Sequence, residues 1–310
     1  KKILFFFDSR ATFAYSNNVI KIFKKKKKKF DILVSGNYLE KKMKIDKNLF
    51  KENKLKILAK VKFKSPSNQL SSWPISFGKA MIKYADVLSK SKPEMIVLTG
   101  DRIETLSMCI TCAYMNIPIA HIQAGDKSGH IDDISRAAIA KFSNVHFAPS
   151  KEAFDRLLEW GEDKKRIFLT GAPQLDDIKL IYQPKKNYFV LIYHPILNEQ
   201  KYIKNQILNI LKAINKTKIK VYWIYPNNDM GFTNIIKKIN KTKNKNITII
   251  PNLERKSFLK LLSQSKGMIG NSSAGIIEAS SYKIPVINIG NRQEGRPQSK
   301  NIVNCRSNTK

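Results

Sequence analysis

Side chains suited to proton transfer follow two apolar runs in the first half of the sequence. Asp101 and Arg102 come after the run 95–99 and a glycine, and the stretch 121–133 is a polar loop with three carboxylates, two histidines and two glycines. Neighbouring acids in different environments can divide the roles of proton donor and acceptor. Aspartate also caps helices well, and that alternative stays open for each acid. The candidate acids are Asp101, Asp126, Asp132 and Asp133.

The second half contains a stretch of small residues typical of a phosphate site. The sequence Gly-Asn-Ser-Ser-Ala-Gly-Ile-Ile-Glu occupies residues 270–278, after a short apolar run and before a helical pattern. Small residues let the backbone approach a ligand closely, and N–H groups at a helix start favour phosphate. The alternative is an ordinary serine N-cap, and the lysine of a nucleoside triphosphatase loop is missing. We expect substrate contacts from Asn271, Ser272, Ser273, Gly275 and Glu278, with Glu278 accepting hydrogen bonds from ribose hydroxyls.

One histidine and three arginines also stand where apolar runs end. His194 follows the run 188–193 and could bind phosphate or transfer protons. Arg10 follows the first run, and Arg292 and Arg296 follow the run 285–289. The planar guanidinium pairs with phosphate oxygens better than an ammonium does, although a solvated surface position is the alternative.

The elements that must position these groups alternate along the chain. Short runs rich in Val, Ile and Phe alternate with amphipathic stretches, which predicts an α/β fold of parallel, doubly wound sheets. The predicted strands are residues 3–7, 31–35, 95–99, 118–122, 145–148, 166–170, 188–193, 220–225, 247–250, 267–269 and 285–289. The predicted helices include residues 77–89, 103–115, 151–160, 200–214 and 255–263. No structure is assigned to the lysine-rich segment 38–66.

A polar, proline-containing break at residues 181–187 predicts two domains, 1–182 and 183–310. The chain has 310 residues, which is room for both. Ligands of doubly wound sheets bind beyond the carboxyl ends of the strands. We therefore expect the two domains to face a central cleft, with acids from the first and phosphate-binding groups from the second.

Charge and composition exclude several function classes. The net charge is +33, but the excess is mostly lysine scattered among Asn and Ile, and no platform of aromatic residues and arginine accompanies it. We expect no nucleic-acid partner, and the run 24–29 is a solvated charge run. No apolar run reaches about 18 residues, so no membrane span is predicted. The opening residues suit a buried strand rather than a signal peptide.

The three cysteines favour packing over chemistry. Cys109 and Cys112 form a C-x-x-C inside a predicted helix, where small buried hydrophobes fit better than a redox pair. Cys305 lies far away in the sequence, and no His or Cys cluster completes a zinc site. A reducing compartment, and hence the cytoplasm, is expected.

Together these stretches resemble the hydrolysing UDP-N-acetylglucosamine 2-epimerases of sialic and legionaminic acid biosynthesis. The resemblance is collinear over about residues 95 to 305, whereas the first 90 residues match only loosely. The matching stretches are Gly100-Asp101-Arg102, 116–122, 129–136, His146-Phe147 with 161–163, 171–173 with Leu175-Asp176, His194-Pro195, 271–278, 287–290, Arg292-Gln293 and Gly295-Arg296.

The resemblance implies two Rossmann-like domains of the glycosyltransferase-B type, and a reaction. The C2 proton and the nucleoside diphosphate at C1 leave to give a glycal, and water then adds to release the free sugar inverted at C2. The acids named above match proton-transfer positions. His194 matches a nucleotide-binding position and is also placed in the catalytic set. The substrate-binding set comprises Arg10, Arg102, Gln123, Asn271, Ser272, Ser273, Gly275, Glu278, Arg292 and Arg296. The resemblance favours a UDP-linked sugar over a GDP-linked one, although the phosphate motifs alone do not distinguish the two bases. It further implies no metal or redox cofactor, no membrane partner, and a homodimer.

The sequence departs from the family at several points, and three rival functions stay open. Gln123 stands near a glutamate of the related non-hydrolysing epimerases, and the opening loop 9–15 lacks a glycine often present there. Ala124-Gly125-Asp126 stands where the family commonly has Gly-Gly-Glu, and the chain stops soon after Cys305, where the family continues, so the second domain is expected to be truncated. The rivals are a non-hydrolysing epimerase, a glycosyltransferase of the same fold, and a basic binding protein whose affinity for nucleic acid falls steeply with salt.

Overall fold

The computed structural model describes residues 2–39, 50, 55–63, 70–128, 131–178 and 185–307. The chain divides into two compact units. The first comprises Lys1–Lys127 and Ile131–Asp177, and the second comprises Ser128–His130 and Ile178–Lys310. The predicted domain boundary between residues 182 and 183 lies outside the described residues.

The first unit is built on a parallel sheet of seven strands, counted over its described residues. The spatial order is β3-β2-β1-β4-β5-β6-β7, so the chain starts near the centre, runs to one edge and then returns to fill the other. This reversal between β1 and β4 is the switch point of a doubly wound sheet. The strands are β1 (Ile3–Phe7), β2 (Phe30–Val34), β3 (Ile57–Lys60), β4 (Met95–Thr99), β5 (Ile119–Ile122), β6 (Val145–Ala148) and β7 (Ile167–Leu169).

The described part of the second unit repeats this plan with six parallel strands in the order β10-β9-β8-β11-β12-β13. Its switch point lies between β8 and β11. The strands are β8 (Phe189–Ile192), β9 (Val221–Ile224), β10 (Ile247–Ile250), β11 (Gly267–Gly270), β12 (Val286–Ile289) and β13 (Ile302–Cys305). The two sheets confirm the predicted fold class of two Rossmann-like α/β domains.

Helices connect the strands and cover both faces of each sheet. In β1, Leu4 and Phe6 belong to one buried cluster, while Phe5 and Phe7 belong to another. Because successive strand residues point to opposite faces, a strand covered on both faces must be apolar throughout. The helices are α1 (Arg10–Lys25), α2 (Ser72–Ser91), α3 (Ile103–Tyr114), α4 (Ile131–Phe142), α5 (Lys151–Glu159), α6 (Ile203–Thr217), α7 (Phe232–Asn240), α8 (Arg255–Ser263), α9 (Ser273–Ile276) and α10 (Glu278–Ser281).

Two strands were not predicted from the sequence, and both lie at sheet edges. Strand β3 falls within the segment left without structure, and alternate residues of it are exposed. Strand β13 is exposed over three of its four residues. An edge strand buries less surface than a central one, so it needs no continuous apolar run.

Among the described residues, no helix has the length and apolar character needed to cross a bilayer.

Candidate functional site

Asp101 lies in the turn that follows β4 and pairs with a buried arginine. Gly100 adopts a positive φ of 79°, which ends the strand and turns the chain toward α3. The carboxylate of Asp101 accepts a hydrogen bond from Nη2 of Arg136 on α4, and the two side chains form an ion pair. Arg102, not Asp101, occupies the N-cap position of α3, so the capping alternative for Asp101 is wrong.

Arg136 also reaches two other predicted acids. Its Nη1 donates to the carbonyl oxygen of Asp126 at 2.7 Å and lies 3.5 Å from Oδ1 of Asp133. Asp132 and Asp133 are in the first turn of α4. We call Asp101, Asp126, Asp132, Asp133 and Arg136 the acid cluster.

The charge of Arg136 is maintained by its neighbours. Burial works to lower the pKa of this guanidinium, but the surrounding aspartates, Asp101 first, outweigh it and raise the pKa. Arg136 was missing from the predicted site residues. The available sign was an arginine one helical turn after two aspartates in a chain whose usual cation is lysine.

Two further side chains hold the loops that carry the acids. His121 is fully buried in β5 and its Nε2 lies 2.7 Å from the carbonyl oxygen of Gly100. Burial lowers the pKa of His121 to about 3, so the ring is neutral and donates this bond from Nε2. Gln123, predicted to bind substrate, donates from Nε2 to Oε1 of Gln174 at 3.0 Å. Its backbone is left-handed, with φ of 65°, which is unusual for a non-glycine residue.

Gly125 explains why this loop cannot carry a side chain at its centre. Its φ is 72°, and a β-carbon there would overlap the carbonyl oxygen of Ala153. The loop therefore packs directly on α5, and Arg156 of that helix donates to the carbonyl oxygen of Gly125. This contact places the neighbouring Asp126 backbone within reach of Arg136.

A second pair of buried acids lies where β1 and β4 end, and sequence reasoning did not select it. Asp8 is fully buried and accepts hydrogen bonds from Thr12 at 3.1 Å and Thr105 at 2.6 Å. Glu104 pairs with Arg102, with Nε and Oε2 separated by 3.3 Å. The sign available in the sequence was an aspartate directly ending an apolar strand.

The ionisation of these two acids is coupled. Burial raises the pKa of Glu104 to about 7; Arg102 opposes this shift and Asp8 adds to it. Burial likewise raises the pKa of Asp8. Arg102, predicted to bind substrate, therefore has a partner whose charge changes near neutral pH. Arg10 opens α1 beside this pair, and its side chain lies outside the described part of the chain.

In the second unit, the loops after β8, β11 and β12 meet at Asn271, and the loop after β9 joins them through His194. Its side-chain amide bonds to the backbone of His194, accepting from the N–H at 2.6 Å and donating to the carbonyl oxygen at 2.8 Å. Arg292 and Gln293 donate to the carbonyl oxygen of Asn271 at 3.2 and 2.9 Å. The N–H of Asn227, in the loop after β9, donates to Nδ1 of His194 at 3.0 Å.

The remaining predicted residues of this unit lie around the same turn. Ser272 caps α9 by accepting from the N–H of Ala274 at 3.3 Å, so the N-cap alternative holds for it. Gly275 packs on β12, where a β-carbon would lie 3.0 Å from Val286. Glu278 is buried and accepts a hydrogen bond from Arg255 at 2.7 Å.

Arg296 completes the set by donating to Oε1 of Gln293 at 3.0 Å. Ser273 begins α9. The structure thus brings the predicted acids together in the first unit and most predicted binding residues together in the second.

Comparisons with known proteins identify the family. The sequence profile of the family described as UDP-N-acetylglucosamine 2-epimerase matches residues 21–310. The UDP-N,N'-diacetylbacillosamine 2-epimerase (hydrolyzing) of Legionella pneumophila is 31% identical over 98% of this chain and 84% of its own length. The GDP/UDP-N,N'-diacetylbacillosamine 2-epimerase (hydrolyzing) of Campylobacter jejuni is 30% identical over 83% of this chain and 72% of its own.

A solved structure supports the fold. It is the UDP-GlcNAc 2-epimerase of Methanocaldococcus jannaschii in complex with UDP-GlcNAc and UDP, which superposes with a TM-score of 0.82 at 21% identity. The match covers 100% of this chain and 90% of that one.

Proposed function

Since the chain belongs to the UDP-N-acetylglucosamine 2-epimerase family, we propose that it hydrolyses a nucleotide-linked N-acetylglucosamine-type sugar to the free 2-epimer and a nucleoside diphosphate. The products would be an N-acetylmannosamine-type sugar and the diphosphate. The observation that carries this proposal is the acid cluster, in which Arg136 holds Asp101 beside the backbone of Asp126 and the carboxylate of Asp133.

The first step needs a base for a weakly acidic proton. The C2–H bond breaks while the C1–O bond to the diphosphate breaks, which leaves a double bond between C1 and C2. A base is effective only if it is ionised and held within reach of the proton. The carboxylate of Asp101 is held by its ion pair with Arg136, and the side chain of Asp101 is still 16% exposed.

The second step adds water to the glycal. Hydroxide bonds to C1, and a proton is delivered to C2 from the face opposite to the first removal. This requires a second acid near the ring, and the cluster supplies Asp126, Asp132 and Asp133. Separate carboxylates near one substrate ring can divide the roles of base and acid between the two steps.

The second unit supplies groups that suit the departing diphosphate. Negative charge grows on the leaving oxygen, and donors already in place stabilise it. Arg292 and Arg296 provide guanidinium donors, and Ser272 and Ser273 provide hydroxyls at the start of α9. Glu278, oriented by Arg255, provides a carboxylate for ribose hydroxyls.

The substrate class within this function is a nucleotide sugar with an N-acetyl group at C2. The relatives named for diacetylated bacillosamine support a UDP- or GDP-linked amino sugar. A UDP-linked substrate and a role in supplying sialic- or legionaminic-type acids are part of the proposal. A cytoplasmic location remains a prediction from the sequence.

A homodimer is a further part of the proposal. Apolar side chains are exposed on three neighbouring helices of the first unit: Ile82 on α2 is 74% exposed, Tyr114 on α3 is 85% exposed and Ile134 on α4 is 69% exposed. Exposed apolar side chains on adjacent elements are typical of surfaces that associate.

The test is to incubate the protein with several UDP- and GDP-linked N-acetyl sugars in D2O and to follow the products by NMR. We expect free sugar, inverted at C2 and deuterated there, together with nucleoside diphosphate. Inverted sugar still attached to the nucleotide would indicate the non-hydrolysing reaction. Free sugar without inversion or deuterium would indicate slow hydrolysis by a glycosyltransferase, and no turnover with salt-sensitive nucleic-acid binding would indicate a basic binding protein.

A further inference from the structure

A backbone N–H group from the loop after β9 fixes the tautomer of the His194 ring. His194 follows β8 and is only 5% exposed. Its Nδ1 lies 3.0 Å from the backbone nitrogen of Asn227, whose hydrogen points to it. A backbone N–H can only donate, so Nδ1 must provide the lone pair, and in the neutral ring the proton is on Nε2.

The backbone of His194 is held just as firmly by Asn271. The side-chain amide of Asn271 uses its oxygen on the N–H of His194 and its nitrogen on the carbonyl oxygen of the same residue. The N–H of Asn271 donates to the carbonyl oxygen of Ile192 at 3.1 Å. Asn271 is fully buried, so its amide serves His194 rather than an outside ligand.

Asn271 is in turn fixed from the loop after β12. Gln293, which is also fully buried, and Arg292 both donate to its carbonyl oxygen. Arg292 lies 3.8 Å from Asp229 in the loop that carries Asn227, so the same network approaches His194 from both sides. The ring orientation therefore depends on several buried polar contacts rather than on one.

We propose that Asn271 is a positioning residue for His194, and that His194 acts on the leaving diphosphate as a hydrogen-bond donor through Nε2–H rather than as a general base. This inference rests on the proposed function and refines it. It replaces the direct substrate contact that the sequence suggested for Asn271.

The chemistry of the departing group favours a donor. When the C1–O bond breaks, its electron pair stays on the diphosphate oxygen, and a fixed N–H aimed at that charge lowers the barrier. A base at Nε2 would require the proton on Nδ1, where it would face the N–H of Asn227. Two donors would then oppose each other in a buried position, which is costly.

The first measurement reads the ring directly. The chain has four histidines, so ¹⁵N-histidine labelling and long-range ¹H–¹⁵N correlation at neutral pH give few signals, and His194→Gln assigns the one of interest. We expect a pyridine-like Nδ1 and a pyrrole-like Nε2. A protonated Nδ1, or an average of two tautomers, would overturn the donor assignment.

The second measurement tests Asn271. We expect Asn271→Ala to lower kcat about 100-fold, the usual effect of losing one positioned donor, with little change in KM. It should also broaden or shift the His194 ring signals, which a merely structural loss elsewhere would leave in place. The matched control is Asn288→Ala, a buried asparagine on β12 that bonds to Asn304 and is separated from β8 by β11.

Two further variants sharpen the result. Asn271→Asp keeps the acceptor for the N–H of His194 but loses the donor to the carbonyl oxygen of His194. If the alanine variant unfolds, kcat and the ring signals of this aspartate variant are compared with those of the wild type instead. His194→Gln should retain more activity than His194→Ala, because a glutamine amide can donate near the position of Nε2. A rise in KM with kcat and the ring signals unchanged would make Asn271 a substrate ligand.

The inference and the proposed function fail separately. The tautomer is measured without substrate. Wild-type protein with the Nε2–H form but no release of free sugar would overturn the proposed function, and with it the action of His194 on a leaving diphosphate, while the tautomer of His194 and its positioning by Asn271 would stand. Wild-type protein that releases the inverted sugar while His194 carries its proton on Nδ1 would overturn only the inference.

Discussion

Arg136 and Asp101 form an ion pair whose two ends differ in their access to solvent. The side chain of Arg136 is 3% exposed, whereas that of Asp101 is 16% exposed. The buried guanidinium of Arg136 therefore binds the carboxylate of Asp101 from the protein interior and leaves part of that carboxylate exposed to solvent. A base that must reach a substrate proton needs this combination of a fixed charge and an accessible oxygen.

Replacing that carboxylate should stop the reaction but spare binding. Asp101→Asn keeps the shape and an oxygen acceptor for Arg136 but removes the base, so we expect a loss in kcat of about 1,000-fold or more. Nucleoside diphosphate affinity, measured by calorimetry, should change little. Asp155→Asn on α5, a surface aspartate paired with Lys151, is the control. Loss of diphosphate binding in Asp101→Asn would instead make Asp101 structural.

Removing the central cation should cost stability as well as activity. Arg136→Met leaves the aspartates of the cluster without their shared buried partner, and breaking such an ion pair typically costs about 3 kcal/mol. Arg136→Lys keeps the charge but cannot bridge Asp101, the Asp126 carbonyl and Asp133 at once. We expect urea unfolding to rank wild type above the lysine variant and that variant above the methionine one. Equal stability of all three would contradict the central place of Arg136.

The buried pair of Asp8 and Glu104 should make stability depend on pH. The pKa of Glu104 is raised from 4.5 to about 7, so its folded form keeps a proton that the unfolded chain has lost. The protonated carboxyl of Glu104 therefore adds its full amount to the free energy of unfolding below pH 4.5. This amount falls as pH rises from 4.5 to about 7, and it is lost above that. Across this pH window the free energy of unfolding should fall by about 3 kcal/mol.

Glu104→Gln isolates this contribution. The free energy of unfolding of the wild type, relative to this variant, should fall across that pH window and stay level on either side of it. Glu159→Gln, at an exposed position in α5, should follow the wild-type profile throughout. A parallel course of the Glu104→Gln and wild-type curves would show that Glu104 titrates as it does in the unfolded chain.

Gly270, at the end of β11, should tolerate no side chain because β8 lies directly against it. Its φ is 130°, and a β-carbon there would overlap the carbonyl oxygen of Ile192 on β8. Gly290 has a φ of 77° with open space around it, so Gly290→Ala carries only the backbone strain of about 1–2 kcal/mol. Gly270→Ala should lower the free energy of unfolding by clearly more than Gly290→Ala does. It should also shift the ¹⁵N signals of the His194 ring. Equal losses in the two variants would mean that β8 and β11 separate easily.

The proposed dimer gives a test by mass. Ile82→Glu places a charge among the exposed apolar side chains of α2, α3 and α4, where it is costly only if another surface covers it. Light scattering should report a dimer for the wild type and a monomer for the variant. Lys79→Glu, an exposed change on the same helix, controls for net charge. A monomeric wild type would end the proposal.

The fold class and the regions that carry chemistry follow from local patterns in the amino-acid sequence. Apolar runs such as 3–7 and 95–99 alternate with helical patterns, and this local periodicity is enough to predict doubly wound sheets. It also placed polar residues after strands, including Asp101 and His194. The edge strands β3 and β13 were missed because they are only partly buried and lack that pattern.

Which of these residues contact one another depends on how the strands and helices pack. Asp101 and Arg136 are 35 positions apart, and His194 and Asn271 are 77 apart. Those pairings follow from the order of strands in each sheet, which is set by how the crossovers pack and not by any local pattern. For the same reason the sequence could propose Asn271 as a ligand, whereas the packed structure directs its amide to the backbone of His194.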